Sequence, residues 1–331
     1  MGPRVSVLLP VRNGAEHLEA ALASVRAQTL REWELVVVDD GSTDATPELL
    51  ARAAASDARI RVFRQDASGL AVALQRAVAE AGAPSLARHD ADDLSLPHRL
   101  AHQLAALDAD PDVVVVGGSF AVLDELGVVV RTEPGLVDAD DVRRELFVRN
   151  PFAHGSVMVQ RAALEAVGGY VDDHPAAEDY DLWRRLATVG ALTNLPEVVY
   201  RWRVNPTGVT QTQSDRQSRS AARVRDELWA AGAPGVLDRH ELRRRVDRYS
   251  RVPALGPQLV DRFRQVQLAL VIELARRGGR RTAWSQLVAY TGHHASAPWS
   301  IVVFVVSGRR FTSGRRLLEA VRRQGRDRRR R

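Results

Sequence analysis

Three carboxylates fall within four positions, Asp90, Asp92 and Asp93, in the stretch Arg88-His89-Asp90-Ala91-Asp92-Asp93-Leu94-Ser95-Leu96-Pro97. The cluster follows a short apolar run and precedes a helix signal at Pro97. Such a cluster repels itself unless a cation sits in it. A hard divalent ion such as Mg2+ or Mn2+ takes oxygen ligands and needs only one or two carboxylates when substrate phosphates complete its shell. One reading is therefore a metal and diphosphate site at a strand end; the other is a solvated turn capping the next helix, because Asp favours both places. A second acidic centre lies in Glu178-Asp179-Tyr180-Asp181-Leu182-Trp183-Arg184-Arg185-Leu186. Leu182, Leu186 and Val189 have helical spacing, so these acids occupy a first turn, where they complement the helix dipole.

The elements that must position these groups alternate. Val5 to Leu9 is an unbroken apolar, β-branched run stopped by Pro10, as in a strand buried on both faces of a parallel sheet. Helix periodicity follows through Leu18, Leu22 and Val25. Leu35 to Val38 repeats the strand pattern and ends in Asp39-Asp40-Gly41-Ser42-Thr43-Asp44, with Ser42 or Thr43 placed to cap a helix over Leu49 and Leu50. Ile60 to Phe63 reads as a third strand, Leu70, Leu74 and Val78 as a third helix, and Leu86 leads into the acidic cluster. Val113 to Val116 reads as a strand ending at Gly117-Gly118. Val128 to Val130 and a helix around Val142 to Leu146 follow, and Leu195 to Val204 reads as a last strand. Alternation of this kind means βαβ units and a mostly parallel sheet. Ligands of such sheets collect at the carboxyl ends of the strands, so Pro10 to Asn13, Asp39-Asp40 and Asp90 to Asp92 should share one crevice. No Gly-x-Gly-x-x-Gly follows the first strand, which disfavours a dehydrogenase-type dinucleotide fold.

These spaced stretches, Val5 to Asn13, Val37-Val38-Asp39-Asp40-Gly41-Ser42-Thr43-Asp44 and Asp90-Ala91-Asp92-Asp93, together resemble glycosyltransferase family 2 over about residues 4 to 206. The resemblance implies an α/β GT-A fold and inverting transfer of a sugar from a nucleotide-diphosphate donor, a UDP-sugar above all. It also implies a Mg2+ or Mn2+ ion on the diphosphate and a glycan, glycolipid or lipid-linked acceptor hydroxyl. Carried onto this chain, it gives Asp39 the nucleobase and Asp40 a place in the nucleotide pocket, with Pro10, Asn13, Ser42 and Gly69 alongside. Asp90 lies nearer the ribose and Asp92 on the metal. Asn150 to Met158 matches a segment beside the acceptor. His154 there suits two roles equally, acceptor contact or a structural histidine bonded to a backbone carbonyl. Asp179 corresponds to the general base that takes the acceptor proton, with Glu178 and Trp183 as acceptor-side neighbours. Asn205 stands where the family often has a histidine completing the metal shell, and Gln75 where related sequences often have Asn. A nucleotidyltransferase would share the crevice without needing Asp179, and an inactive nucleotide-sugar-binding or membrane-scaffolding protein would bind donor without turnover.

Composition narrows the alternatives. All 47 basic residues are Arg, and the chain has no Cys, so Schiff-base lysines, a phosphate-loop lysine, thiolates and disulfides are excluded. Residues 1–206 carry 20 Arg against 31 acids, or −11, whereas 207–331 carry 27 Arg against 10 acids, or +17. The expected organisation is a catalytic domain over 1–206, a basic helical region over 207–321 and an Arg-rich disordered tail over 322–331. Helical patterns are expected at roughly 215 to 231, 238 to 250, 257 to 277 and 280 to 290, after a polar hinge at Thr207 to Ser218. Strand pattern begins right after Met1-Gly2-Pro3-Arg4, so no signal peptide is expected. The longest apolar stretch, Ile301 to Val306 with Trp299 ahead of it, is short of the ~20 residues that span a bilayer. Expectation therefore favours a cytoplasmic enzyme, either with its basic region packed on the catalytic domain or held by it at an anionic membrane on the inner face. Nucleic acid is not an expected partner, because the positive charge is confined to one third of the chain and has few aromatics with it.

Overall fold

Two apolar strands near the start of the sequence dictate the layering. The computed structural model describes residues 2–147, 149–205 and 213–231. In it β1 (Val5–Val11) and β2 (Trp33–Asp40) are buried along their whole length and pair in parallel. Side chains alternate across a strand, and Leu8, Val36 and Val38 enter one core while Val5, Val7, Leu9, Leu35 and Val37 enter the other. Continuous rather than alternating hydrophobicity is thus what a strand covered on both faces requires.

The covering helices follow from their periodicity. On one face α1 (Ala15–Arg26) buries Leu18, Leu22 and Val25, α2 (Thr46–Ser56) buries Leu50, and α4 (Arg99–Ala109) buries Leu100, Leu104 and Leu107. The opposite face receives α3 (Leu70–Glu80), α5 (Ala139–Glu145), α6 (Arg161–Ala166) and α7 (Glu178–Leu186). The remaining strands are β3 (Ile60–Gln65), β4 (Ser85–Arg88), β5 (Leu94–Ser95), β6 (Val113–Leu123), β7 (Val129–Glu133), β8 (Met158–Gln160) and β9 (Ala191–Arg203). Their order is β3-β2-β1-β4-β8-β6-β9-β5, with β7 on β6. The β3-β2-β1-β4 half is parallel, β8 runs against both β4 and β6, and β9 runs parallel to β6. This is the mixed, mostly parallel sheet with flanking helices that the sequence predicts.

Three local readings change. The strand at Val113 does not stop at Gly117-Gly118 but continues to Leu123. A Cβ at Gly117 would collide with Asn194 and the Phe152 ring, and one at Gly118 with Val199. The glycines are close-approach positions inside the strand, with register shifts against β9 beside them. The last strand begins at Ala191, four residues ahead of Leu195. Neither Ser42 nor Thr43 caps α2, whose first residue is Thr46; Asp44 Oδ1 accepts from the Thr46 N–H instead (3.0 Å).

Of the C-terminal helical patterns, the first is α8 (Ser214–Ala230), which buries Val224 and Leu228 in the same core as α7. His174 and Arg184 hold it through Glu227, at 2.9 and 3.2 Å. His174 and Glu227 also gather near Asp181, but Arg184 and Arg185 already neutralise that carboxylate, so the cluster is an ion-pair network. The other three patterns, the Trp299 to Val306 segment and the Arg-rich tail lie outside the described residues. No helix among the described residues is long and apolar enough to cross a membrane.

Candidate active site

The loops after β1 and β2 are stitched together before any ligand arrives. Asn13, held at φ 53°, accepts the Thr43 N–H on its amide oxygen (2.8 Å), and its own N–H donates to Ser42 Oγ (2.9 Å). Gly14 N–H reaches Thr46 Oγ1 and Ala15 N–H reaches Asp44. Ser42 therefore serves as a strut between loops, and Pro10 does not stop β1 but lies within it, paired with Val38, the strand running on to Val11 before the first loop begins. Asp39, 1% exposed, accepts the Ser42 N–H (2.9 Å) and pairs with Arg64 from the end of β3 (3.2 Å). The Arg64 guanidinium is itself more than half exposed and points from the same crevice.

Asp40 differs from its expected place. Both of its oxygens are taken by Gln65 Nε2 (2.8 Å), Ser68 N–H (2.8 Å) and Gly69 N–H (2.9 Å). Buried to 5% exposure, it anchors the loop ahead of α3 rather than offering a free wall to a nucleotide. A carboxylate suits that role because its two oxygens offer about four acceptor sites and no donor. Gly69, at φ 95°, spends its N–H on that anchor.

Asp90, Asp92 and Asp93 separate into different roles. Asp93 is buried, accepts the Arg203 N–H from β9 (2.7 Å) and is pushed well above the usual carboxylate range by burial and by its two neighbours. It is a structural acid. Asp90 pairs with Arg88 through Oδ1 (2.7 Å), its N–H lies 3.0 Å from the Tyr200 hydroxyl, and its Oδ2 abuts Gly155. Asp92 accepts the Asn205 amide (2.9 Å) and is raised by burial first and by Asp90 second. Asn205 is thus brought onto Asp92. Two carboxylates, the Asp92 one raised in part by the charge of Asp90, with an amide against Asp92, form an oxygen donor set suited to Mg2+ or Mn2+. The residues present fit such an ion.

His89 beside them is not a ligand. Burial, then the Arg99 charge, lowers it to about 3, and its ring lies between Ser24 and its own chain at Asp90.

The region that the resemblance assigns to the acceptor is built on a short 3-10 turn, His154–Ser156, and on α7. Asn150 donates its amide to Asp179 Oδ2 (2.7 Å), and the Tyr180 N–H reaches Oδ1 (2.7 Å). Burial raises both Glu178 and Asp179, and the adjacent Asp179 charge raises Glu178 further, whereas the Asn150 and Tyr180 hydrogen bonds oppose the rise at Asp179. A half-buried carboxylate with raised proton affinity suits proton abstraction near neutral pH. His154 bonds the Tyr170 hydroxyl (3.0 Å) instead of a backbone carbonyl and stays neutral, because burial and then Arg88 disfavour its cation. Trp183 does not line the site. Its side chain has no exposed surface and packs edge-on to Phe152 and His154, since the helical face that it occupies is the one α7 turns to the core. Gln75 bonds the Tyr170 carbonyl, so its amide ties α3 to the same wall.

The turn links the two centres: Gly155 touches Asp90, and His154 rests on Trp183, one helical turn after Asp179. Sequence reasoning missed Arg64, Arg88 and Tyr200 here. Arg88 carried a signal, a charged residue closing an apolar strand pattern, whereas Tyr200 comes from β9 across 110 residues and left none.

Comparison with known proteins gives the chain its relatives. A family model described as glycosyl transferase family 2 matches residues 6–168. EpsE of Bacillus subtilis is 34% identical over 209 residues, covering 61% of this chain and 73% of that protein. The amylovoran biosynthesis glycosyltransferase AmsE of Erwinia amylovora is 30% identical over 202 residues, covering 60% and 75%. Among solved structures, S. aureus TarS 1-349 in complex with UDP-GlcNAc shares 16% identity at a TM-score of 0.56, over 83% of this chain and 88% of that one. The mannosyltransferase PcManGT of Pyrobaculum calidifontis, in complex with GDP-Man and Mn2+, shares 21% at 0.56, over 93% and 85%. At that identity the structures speak for the fold, which is GT-A. With the sequence relatives, the matched motifs and the paired carboxylate centres in hand, the chain belongs to glycosyl transferase family 2.

Proposed function

We propose that this glycosyltransferase moves a sugar, with inversion, from a UDP-sugar to a hydroxyl of a glycan, glycolipid or lipid-linked acceptor in the synthesis of a cell-surface polysaccharide. The observation that carries the reading is one turn, His154–Ser156, with donor-type carboxylates against one side and a base-type carboxylate behind the other. Asp179, oriented by Asn150, takes the proton from the acceptor hydroxyl as that oxygen attacks the anomeric carbon. Asp39, paired with Arg64, would recognise the base and ribose beside the hydrogen-bonded loops of Asn13 and Ser42. Asp90, Asp92 and Asn205 would hold Mg2+ or Mn2+. When bound, the ion neutralises charge developing on the leaving diphosphate. The amylovoran biosynthesis named for AmsE and the donors bound in TarS and PcManGT support the substrate class. We place the enzyme in the cytoplasm at the inner membrane face, reached through the +17 charge of residues 207–331.

The test is a screen of nucleotide sugars for binding and slow hydrolysis, with and without Mn2+, on wild type, Asp92→Ala and Asp179→Asn. Ion-dependent binding of one donor, lost in Asp92→Ala and kept in Asp179→Asn, is expected. The anomeric configuration of the transferred sugar, read by NMR, should be inverted. Binding with full turnover in Asp179→Asn points to nucleotidyl transfer instead, and no binding by any donor overturns the reading.

A further inference from the structure

We propose that Tyr200 and Arg203, near the end of β9, are positioning residues for the carboxylates of the acidic turn: they hold the backbone of Asp90 and Asp92 and so set where the two side chains stand. The proposal rests on the glycosyl-transfer reading, in which Asp90, Asp92 and Asn205 would hold the ion. The turn joins β4 to β5, and β5 pairs antiparallel with β9, Leu94 opposite Arg201 and Ser95 opposite Tyr200. β9 therefore runs beside the turn and meets its peptide groups. The Asp90 N–H donates to the Tyr200 hydroxyl (3.0 Å), and Arg203 Nε donates to the Asp92 carbonyl (3.1 Å). The Arg203 N–H goes to Asp93 Oδ1 (2.7 Å), so this residue grips the turn twice.

Neither grip can slacken without moving a ligand-type oxygen. Tyr200 is wholly buried, edge-on to the His89 ring, with the Arg99 guanidinium 4.9 Å over its own ring, so its hydroxyl has a fixed place. The Asp90 carbonyl is held from the other side, 2.7 Å from His89 Nδ1. A buried N–H that loses its acceptor costs free energy, and the backbone shifts to recover a partner. An Asp carboxylate follows such a shift closely, because one methylene separates it from the chain. Mg2+ tolerates little departure from octahedral geometry at about 2.0–2.1 Å, so a displaced turn is read as lost affinity.

The test is calorimetric titration of the full chain with Mn2+, in UDP throughout, beside thermal melts. Tyr200→Phe keeps the ring and removes the hydroxyl. Ser6→Ala is its control: that wholly buried hydroxyl also accepts a backbone N–H, from Ala83 (3.0 Å), and donates to Glu34 (2.7 Å), at the opposite end of β1 from the crevice. Both should lower Tm by about 2–4 °C, and Tyr200→Phe alone should weaken Mn2+ binding, about tenfold, as loss of an outer-shell partner does. Arg203→Met keeps the stem and deletes Nε. It also removes a positive charge beside the incoming ion, so Coulomb's law alone predicts tighter Mn2+ binding, whereas lost positioning predicts binding about tenfold weaker. Wild-type Mn2+ affinity in folded Tyr200→Phe overturns the proposal, as does unchanged or tighter binding in Arg203→Met. Equal weakening in Ser6→Ala overturns it too, since any loss of stability would then suffice. If Tyr200→Phe does not fold, the sign of the change in Arg203→Met decides. No readout needs turnover: a wild type that binds Mn2+ but transfers no sugar sinks the transfer reading and leaves the positioning standing, whereas one blind to Mn2+ sinks both.

Discussion

Gly155→Ala is the sharpest test of how the two halves of the site are joined. The glycine lies in the His154–Ser156 turn at an ordinary negative φ, so alanine is conformationally acceptable there and the effect is steric alone. Its Cβ would sit 2.5 Å from Asp90 Oδ2, 2.8 Å from the Tyr200 ring carbon Cζ, and nearer still to the Tyr200 hydroxyl. Neither neighbour can swing away cheaply. Tyr200 is wholly buried and packed under the Arg99 guanidinium, and Asp90 is clamped by Arg88. Overpacking of this kind costs about 1–3 kcal/mol, or about 2–12 °C in Tm for a domain of this size. Because Asp90 must shift, metal and donor binding should weaken as well. Gly190→Ala supplies the matched control: its Cβ would crowd Val114 and lie 2.8 Å from the Asp112 carbonyl, at the start of β9 and away from the carboxylates. Thermal melts and donor and Mn2+ titrations on both variants are expected to show comparable destabilisation, with weakened donor binding in Gly155→Ala alone. Equal donor and Mn2+ affinity in folded Gly155→Ala refutes the reasoning.

Other outcomes follow from the charges. With Asp179 raised to about 6 by burial, transfer should fall about tenfold per pH unit below that value, because the base must be ionised; a flat profile from pH 5 to 8 argues against Asp179. Asp179→Asn should cost about 10²–10⁴ in kcat, measured with saturating donor. The same raised carboxyl carries a stability cost that is absent near pH 3 and grows as pH rises through the folded value. Asp179→Asn should accordingly be more stable by about 1–3 kcal/mol at pH 8 and by nothing at pH 3.5, in urea melts. Glu227→Ala strips α8 of its bonds to His174 and Arg184. The glutamate is partly exposed, so a loss of only about 1 kcal/mol is expected in the same melts.

Much of this arrangement is legible in the chain because the relevant signals are local. Val5 to Leu9 and Leu35 to Val38 announce a doubly covered sheet by their lack of alternation. The carboxyl ends of such strands then gather Asn13, Asp39 and Asp90 at one edge without further information. What the residues alone hide is decided by partners distant in sequence. Asp39 and Asp40 are adjacent and chemically identical, yet one faces Arg64 while the other is consumed by Gln65, Ser68 and Gly69. Asp92 and Asp93 diverge likewise, one meeting Asn205 and the other the backbone of Arg203. Trp183 was misplaced because helical spacing gives the period of α7 but not which face the neighbouring elements cover. Gly117 and Gly118 read as a stop since a glycine pair signals a turn; only the approach of Phe152, Asn194 and Val199 explains them as part of a strand.

The stitched loops have a consequence for how such an enzyme changes over time. Asn13, Ser42, Thr43 and Thr46 close a hydrogen-bonded seam between the ends of β1 and β2, so the floor of the proposed nucleotide site is held by the protein's own bonds and ligand entry need not freeze it. Preorganisation of this sort conserves affinity, but it also makes the floor intolerant of piecemeal substitution, because each change strands a partner. Drift in donor preference would then be channelled into side chains that overhang the seam without belonging to it, such as the exposed end of Arg64. Lineages could trade one nucleotide sugar for another while the seam itself stands still.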